Sequence, residues 1–146
     1  MKKLERIQKI YKVRVQTAQR EAGAARNVRQ NLENEHAQME ASLVREVDAC
    51  DSVELAPFDF AARYYRAVVD AMREKRAGIS VAAQEEISAM EVLREKFREQ
   101  KEFDIYANRR RQMLHDEQRR KEDEKSRAIF SNGRNAGGFL KTGGLV

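Results

Sequence analysis

The sequence predicts an all-α protein in which two long helices form an antiparallel coiled-coil hairpin, followed by a disordered, glycine-rich C-terminal tail. Charged residues make up 36% of the 146 residues and only one proline is present, a balance that suits long exposed helices better than a compact core. Five of the seven glycines lie after residue 132. Apolar residues recur at heptad spacing on both sides of a single break, as in a coiled coil.

The first helix is predicted from about residue 3 to about residue 50. After Met39 its apolar spacing shifts from seven residues to four, which relaxes a supercoil. Small residues such as Ala18 and Ala22 allow a second helix to approach closely. The seven-residue ladder consists of Leu4, Tyr11, Ala18, Ala25, Leu32 and Met39.

A bend is predicted at residues 51–57, whose sequence is DSVELAP. Asp51 and Ser52 favour a turn. Pro57 is tolerated in the first turn of a helix but disfavours helix in the residue before it. Because a short connection joins antiparallel neighbours, the flanking helices are expected to pair side by side.

The second helix is predicted from about residue 58 to about residue 128, with a break or kink near Gly78 left open. A fold-back at about residue 54 places Leu43 opposite Tyr65 and Tyr11 opposite Phe97. Residues 1–130 then form one hairpin domain, and residues 131–146 form a flexible tail. The ladder of this helix consists of Phe58, Tyr65, Met72, Ile79, Leu93, Ala107 and Leu114.

Charge is distributed unevenly along the chain. Residues 1–20 carry seven basic side chains and one acidic, and residues 109–127 carry eight basic and five acidic. Residues 21–108 carry twelve basic and eighteen acidic side chains. In a hairpin both basic segments fall at the open end, away from the bend.

Three interpretations of this basic end stay open: a solvated face, a nucleic-acid site, or a docking end for an acidic cavity. Nucleic-acid binding would use the cations on phosphates. The acids at 122–124 interrupt the cations, however, and no aromatic stacking platform accompanies them. Docking into an acidic protein cavity is preferred, because charge of one sign steers association.

The predicted bend is rich in aromatic residues. These side chains point to several sides of a helix, so some of them are expected to be exposed and to form a binding patch. The alternative is a wider helical tip or a self-association face. The cluster comprises Phe58, Phe60, Tyr64, Tyr65 and Val68, with Leu43 and Val47 opposite.

The sequence shows no catalytic, cofactor or metal motif, and an enzyme is not expected. His36 and His115 have no second ligand at metal-binding spacing, and no glycine-rich phosphate loop is present. The single cysteine, Cys50, excludes an intramolecular disulfide. No run approaches the roughly 20 apolar residues of a membrane span, and a soluble, cytoplasmic protein is expected.

Three stretches carry a resemblance to a known family: MKKLERIQKI at the start, FDFAARYYRAVV after the bend, and LREKFREQKEFDIYANRRRQMLHDEQRRKEDEKSRAIF. Over residues 1 to about 130 the chain resembles the flagellar export protein FliJ family and its injectisome counterparts, the stalk proteins of type III secretion. The second helix is expected to overhang the first over residues 106–128. This overhang and the glycine-rich tail are not recognised features of that family.

The resemblance implies a non-enzymatic stalk whose open end inserts into the hexameric ring of the export ATPase. It also implies that the bend region engages the export-gate membrane protein and that the chain escorts export chaperones. Its expected place is the cytoplasm, peripherally associated with the inner-membrane export apparatus, without membrane insertion or nucleic acid. The ring-binding positions are Leu4, Ile7, Tyr11, Arg109, Arg110, Arg111, Arg119 and Arg120, and the gate-binding positions are Leu43, Val47, Phe58, Tyr64, Tyr65 and Val68.

Overall fold

The computed structural model describes the backbone of residues 1–51 and 58–142 and the side chains of residues 1–49 and 61–134. Within these ranges the chain is all-helical and contains no strand: α1 spans Lys2–Asp51 and α2 spans Phe58–Thr142. The two helices pack against each other. The predicted bend, apart from Asp51, lies outside the described residues.

The C-terminal boundary of α2 differs from the sequence prediction. α2 continues to Thr142, so a helix end at about residue 128 is too early. The glycine-rich segment predicted as a tail from residue 131 therefore begins within α2. Every side chain from residue 115 to residue 134 is exposed. The predicted flexibility of residues 131–146 stays a prediction.

No helix in the described ranges has an apolar stretch long enough to cross a membrane.

α2 passes through Gly78 without a break, so a split of the helix at that position is excluded.

The chain divides into two compact units. The terminal unit consists of Met1–Gln8 together with Lys101–Val146, and the central unit consists of Lys9–Gln100. Each unit contains a segment of α1 and a segment of α2.

The core of the central unit is a narrow seam of small and medium side chains. Val15, Ala18 and Ala22 of α1 are buried, as are Met72 and Ala82 of α2. The predicted ladders include Ala18 and Met72. Because three of the five buried residues are alanines, the seam stabilises the unit through close approach of two backbones rather than through a large apolar volume.

The contacts within the central unit define its register. Tyr64 contacts Glu46, Lys75 pairs with Glu35, and Glu86 pairs with Arg29, so the partner's number falls as the residue number rises along α2.

The predicted register lies two residues from the Tyr64–Glu46 and Lys75–Glu35 contacts. It lies seven residues, or about two helical turns, from the Arg29–Glu86 pair. The predicted register is therefore close at Glu35 and Glu46 and is displaced at Arg29.

Candidate binding surfaces

One glutamine of the terminal unit links α1 to two side chains of α2. The Gln8 amide nitrogen donates to Asp104 Oδ1 at 3.1 Å, and its amide oxygen accepts from Arg111 Nη2 at 2.7 Å. Both polar atoms of the amide are therefore satisfied across the seam. The bond from Arg111 is charge-assisted and belongs to the stronger class of hydrogen bonds.

Ala107 lies on α2 between the two partners of Gln8 and is 0% exposed. Positions 104, 107 and 111 share one helix face, because residues three and four apart are neighbours on an α-helix. A small side chain at 107 lets α1 approach closely enough for Gln8 to reach both sides of it. We call Gln8, Asp104, Ala107 and Arg111 the terminal clamp.

The terminal clamp brings predicted basic and apolar ring-binding residues into one compact unit. Arg109 and Arg110 are exposed beside it, whereas Arg111 is half-buried because its guanidinium is used by Gln8. Leu4 is half-buried and Ile7 is exposed on the α1 segment. Arg119 and Arg120 belong to the same unit farther along α2 and are exposed.

Tyr11 is the exception among the predicted ring-binding residues. It lies in the central unit and is half-buried, with the Arg14 guanidinium 5.5 Å from its ring centroid. This distance lies within the range of a cation–π interaction.

Sequence reasoning missed an apolar stripe close to the three consecutive arginines at residues 109–111. Tyr106 and Met113 are both exposed, and their separation of seven residues places them on one side of α2. The Phe103 and Tyr106 rings lie 5.9 Å apart at an angle of 44°. The seven-residue spacing was the signal available in the sequence, but these positions lie off the seam ladder.

The predicted gate-binding residues that the structure describes all lie in the central unit. Leu43 and Val68 are half-buried, and Val47, Tyr64 and Tyr65 are exposed. The Tyr64 hydroxyl of α2 donates to the Glu46 carboxylate of α1, so this contact links the two helices. The side chain of Phe58 lies outside the described residues.

Leu43 lines several surface clefts of the central unit. One cleft is lined by Met39, Tyr64 and Val68 among others, and another by Tyr65, Val69 and Met72. Partly covered apolar side chains beside tyrosines are typical of protein-binding patches.

Arg29 joins two carboxylates in the central unit. Its Nε donates to Glu86 of α2 and its Nη1 donates to Glu33 of α1 at 2.8 Å. Hydrogen bonds to Glu86 and then Glu33 raise the pKa of Arg29 above its ordinary value. A raised pKa of a cation stabilises the folded state at every pH below the ordinary value and is lost only as the pH rises through the raised value. The contribution of Arg29 is therefore constant around neutral pH.

The histidines do not form a metal site in the described residues, where no group of three or more His, Cys, Asp or Glu side chains converges. His36 Nε2 accepts a hydrogen bond from Arg76 Nε at 3.2 Å. His115 Nδ1 lies 3.9 Å from Asp116 Oδ1, and both side chains are exposed.

Comparison of the chain with protein-family models, with curated proteins and with solved structures gives no match.

Proposed function

We propose that this chain is a non-enzymatic stalk or coupling component of a flagellar, type III protein export apparatus. In this proposal the terminal unit inserts into the hexameric ring of an export ATPase. The ATPase hydrolyses nucleotide, and the chain itself needs no cofactor.

The observation that carries the proposal is the composition of the terminal unit. Its two chain segments hold fourteen basic side chains against eight acidic ones, and the terminal clamp joins them. Arg109 and Arg110 present exposed charge next to this clamp. A positive surface of this kind favours fast, oriented docking into an acidic cavity.

We propose the finer architecture to be an antiparallel coiled-coil hairpin with a flexible C-terminal tail. In the central unit, residues farther along α2 contact residues earlier in α1, which supports antiparallel pairing. The narrow alanine seam supports close helix packing. A hairpin of this type presents its charge on an exposed surface, which a docking stalk would use.

The second part of the proposal concerns the gate-binding patch of the central unit. Leu43, Val47, Tyr64, Tyr65 and Val68 would contact the export-gate membrane protein, with export chaperones using the same region. Exposed tyrosines beside half-buried aliphatic side chains support this role, since Tyr is enriched at binding hot spots. The chain would then be cytoplasmic and peripherally associated with the inner-membrane export apparatus, without membrane insertion.

ATP turnover by the export ATPase tests the first part of the proposal. The full chain is expected to raise turnover, and the double variant Arg109→Ala/Arg110→Ala is expected to lose that effect. Both arginines are exposed and lie outside the terminal clamp, so the fold should be retained. The matched control is Arg63→Ala/Arg66→Ala, which removes two exposed arginines from the central unit.

Turnover that the full chain leaves unchanged would contradict the proposal, as would equal losses in the two double variants. Concentration-dependent dimerisation that is lost in Tyr65→Ala would instead support a self-associating coiled-coil adaptor. A salt-sensitive shift of DNA or RNA would support a nucleic-acid-binding protein.

A further inference from the structure

We propose that residues 125–134 of α2, here named the docking segment, bind an anionic lipid surface. The segment would lie in the plane of the headgroups and would not span the bilayer. This inference goes beyond the proposed function and does not depend on an ATPase partner.

The first observation is the exposure of two large apolar side chains. Ile129 is 73% exposed and Phe130 is 71% exposed, the largest fractions among the large apolar side chains that the structure describes. Leaving such groups in water forgoes the free energy that burial would provide. Neither residue belongs to the helix seam, so both are accessible to an apolar surface outside the chain.

The second observation is charge of a single sign. Lys125, Arg127 and Arg134 are all exposed in the docking segment. No acidic residue follows Glu124 in the sequence. Clustered cations without neighbouring acids are attracted to anionic membrane surfaces.

The cations and the aromatic ring are arranged together. Arg127 and Arg134 are seven residues apart and lie on one side of the helix, with Phe130 between them. The Arg134 guanidinium lies 5.9 Å from the centroid of the Phe130 ring. A phosphate headgroup can therefore approach the arginines while the ring enters the acyl boundary below them.

Two features favour a lipid surface over an acidic protein groove. Ile129 and Phe130 are adjacent, so they point about 100° apart around the helix, whereas a protein groove normally receives one apolar stripe. A deformable lipid interface can bury both side chains at a depth of about 5–10 Å. Residues 116–124, in contrast, mix five acids with three cations, a pattern that suits selective protein pairing better.

Flotation of the full chain with lipid vesicles tests the proposal. Binding is expected to phosphatidylcholine vesicles that contain phosphatidylglycerol, and not to vesicles of phosphatidylcholine alone. Arg127→Gln/Arg134→Gln should weaken binding about thirtyfold, which is about fivefold for each cation removed. Ile129→Ala/Phe130→Ala, which keeps every charge, should weaken it roughly tenfold or more.

Two control variants in the central unit match these changes. Arg63→Gln/Arg94→Gln removes two exposed cations, and Val81→Ala/Ile87→Ala truncates two exposed apolar side chains. Both controls should bind as the unaltered chain does, with unchanged helix content by circular dichroism. The proposal is overturned by absence of binding to the anionic vesicles or by equal losses in the controls. Unchanged binding of Ile129→Ala/Phe130→Ala would also overturn it, because binding would then be simple charge adsorption.

Discussion

The two compact units of this chain differ in what holds them together and in what they present. The central unit contributes five of the six buried apolar residues in the described part of the chain and is nearly neutral, with fifteen basic and sixteen acidic side chains. The terminal unit contributes Ala107 alone and carries fourteen basic side chains against eight acidic ones. Packing thus dominates one unit, and charge dominates the other.

This difference separates stability from recognition along the same two helices. Salt screens interactions between exposed charges but scarcely weakens buried apolar contacts. We therefore expect added salt to affect partner binding by the terminal unit more than folding of the central unit. Local amide hydrogen exchange can report on each unit separately, because segments of one protein open with different free energies.

The largest expected effect tests the apolar seam of the central unit. Met72 is 7% exposed, and Met72→Ala should lower the free energy of unfolding by about 2 kcal/mol, because truncation leaves a cavity in the seam. Urea unfolding measures the loss, and hydrogen exchange should accelerate within residues 9–100. Met113→Ala in the terminal unit, where Met113 is 55% exposed, is the control and should change stability by less than about 0.5 kcal/mol. Equal losses in the two variants would erase the distinction between the units.

The next effect tests the terminal clamp. Ala107→Leu should lower stability by about 1–2 kcal/mol, because extra methyl groups at a fully buried position force α1 and α2 apart and break both Gln8 contacts. The measurement is thermal unfolding together with faster hydrogen exchange in residues 1–8 and 101–114. Ala128→Leu, at an exposed position of the same unit, should leave both unchanged. An Ala107→Leu variant as stable as the unaltered chain would show that the clamp is not close-packed.

The smallest effect concerns helix propensity. Gly78→Ala should raise the free energy of unfolding by about 1 kcal/mol, because α2 is continuous there and no atom lies within 4 Å of an added Cβ. Gly133→Ala adds a Cβ in equally open space but in the exposed part of α2. We expect it to increase helix content by circular dichroism without shifting the unfolding midpoint. A destabilised Gly78→Ala variant would argue for a local distortion of α2 at that residue.

Most of the secondary structure could be predicted from the sequence, because helix formation depends on local features. The shortage of glycine and proline before residue 132 and the heptad ladders predict two long helices starting near the observed Lys2 and Phe58. The predicted end of α2 at about residue 128 was too early, because glycine lowers helix propensity without forbidding helix. The sequence predicts that some of the aromatic side chains are exposed, since adjacent helical residues cannot both face one seam. Tyr65, which the predicted ladder places in the seam, is exposed together with Tyr64.

The sequence by itself determined the two helices, the uneven charge and the presence of apolar side chains that a two-helix seam cannot cover. Only the tertiary structure decided the exact register, the bridging role of Gln8 and the complete burial of Ala107. The physical reason is that periodicity specifies which face of a helix is apolar, whereas several registers satisfy a seam interrupted by polar residues. The choice among them depends on how small side chains and long-range hydrogen bonds fit together across the two helices.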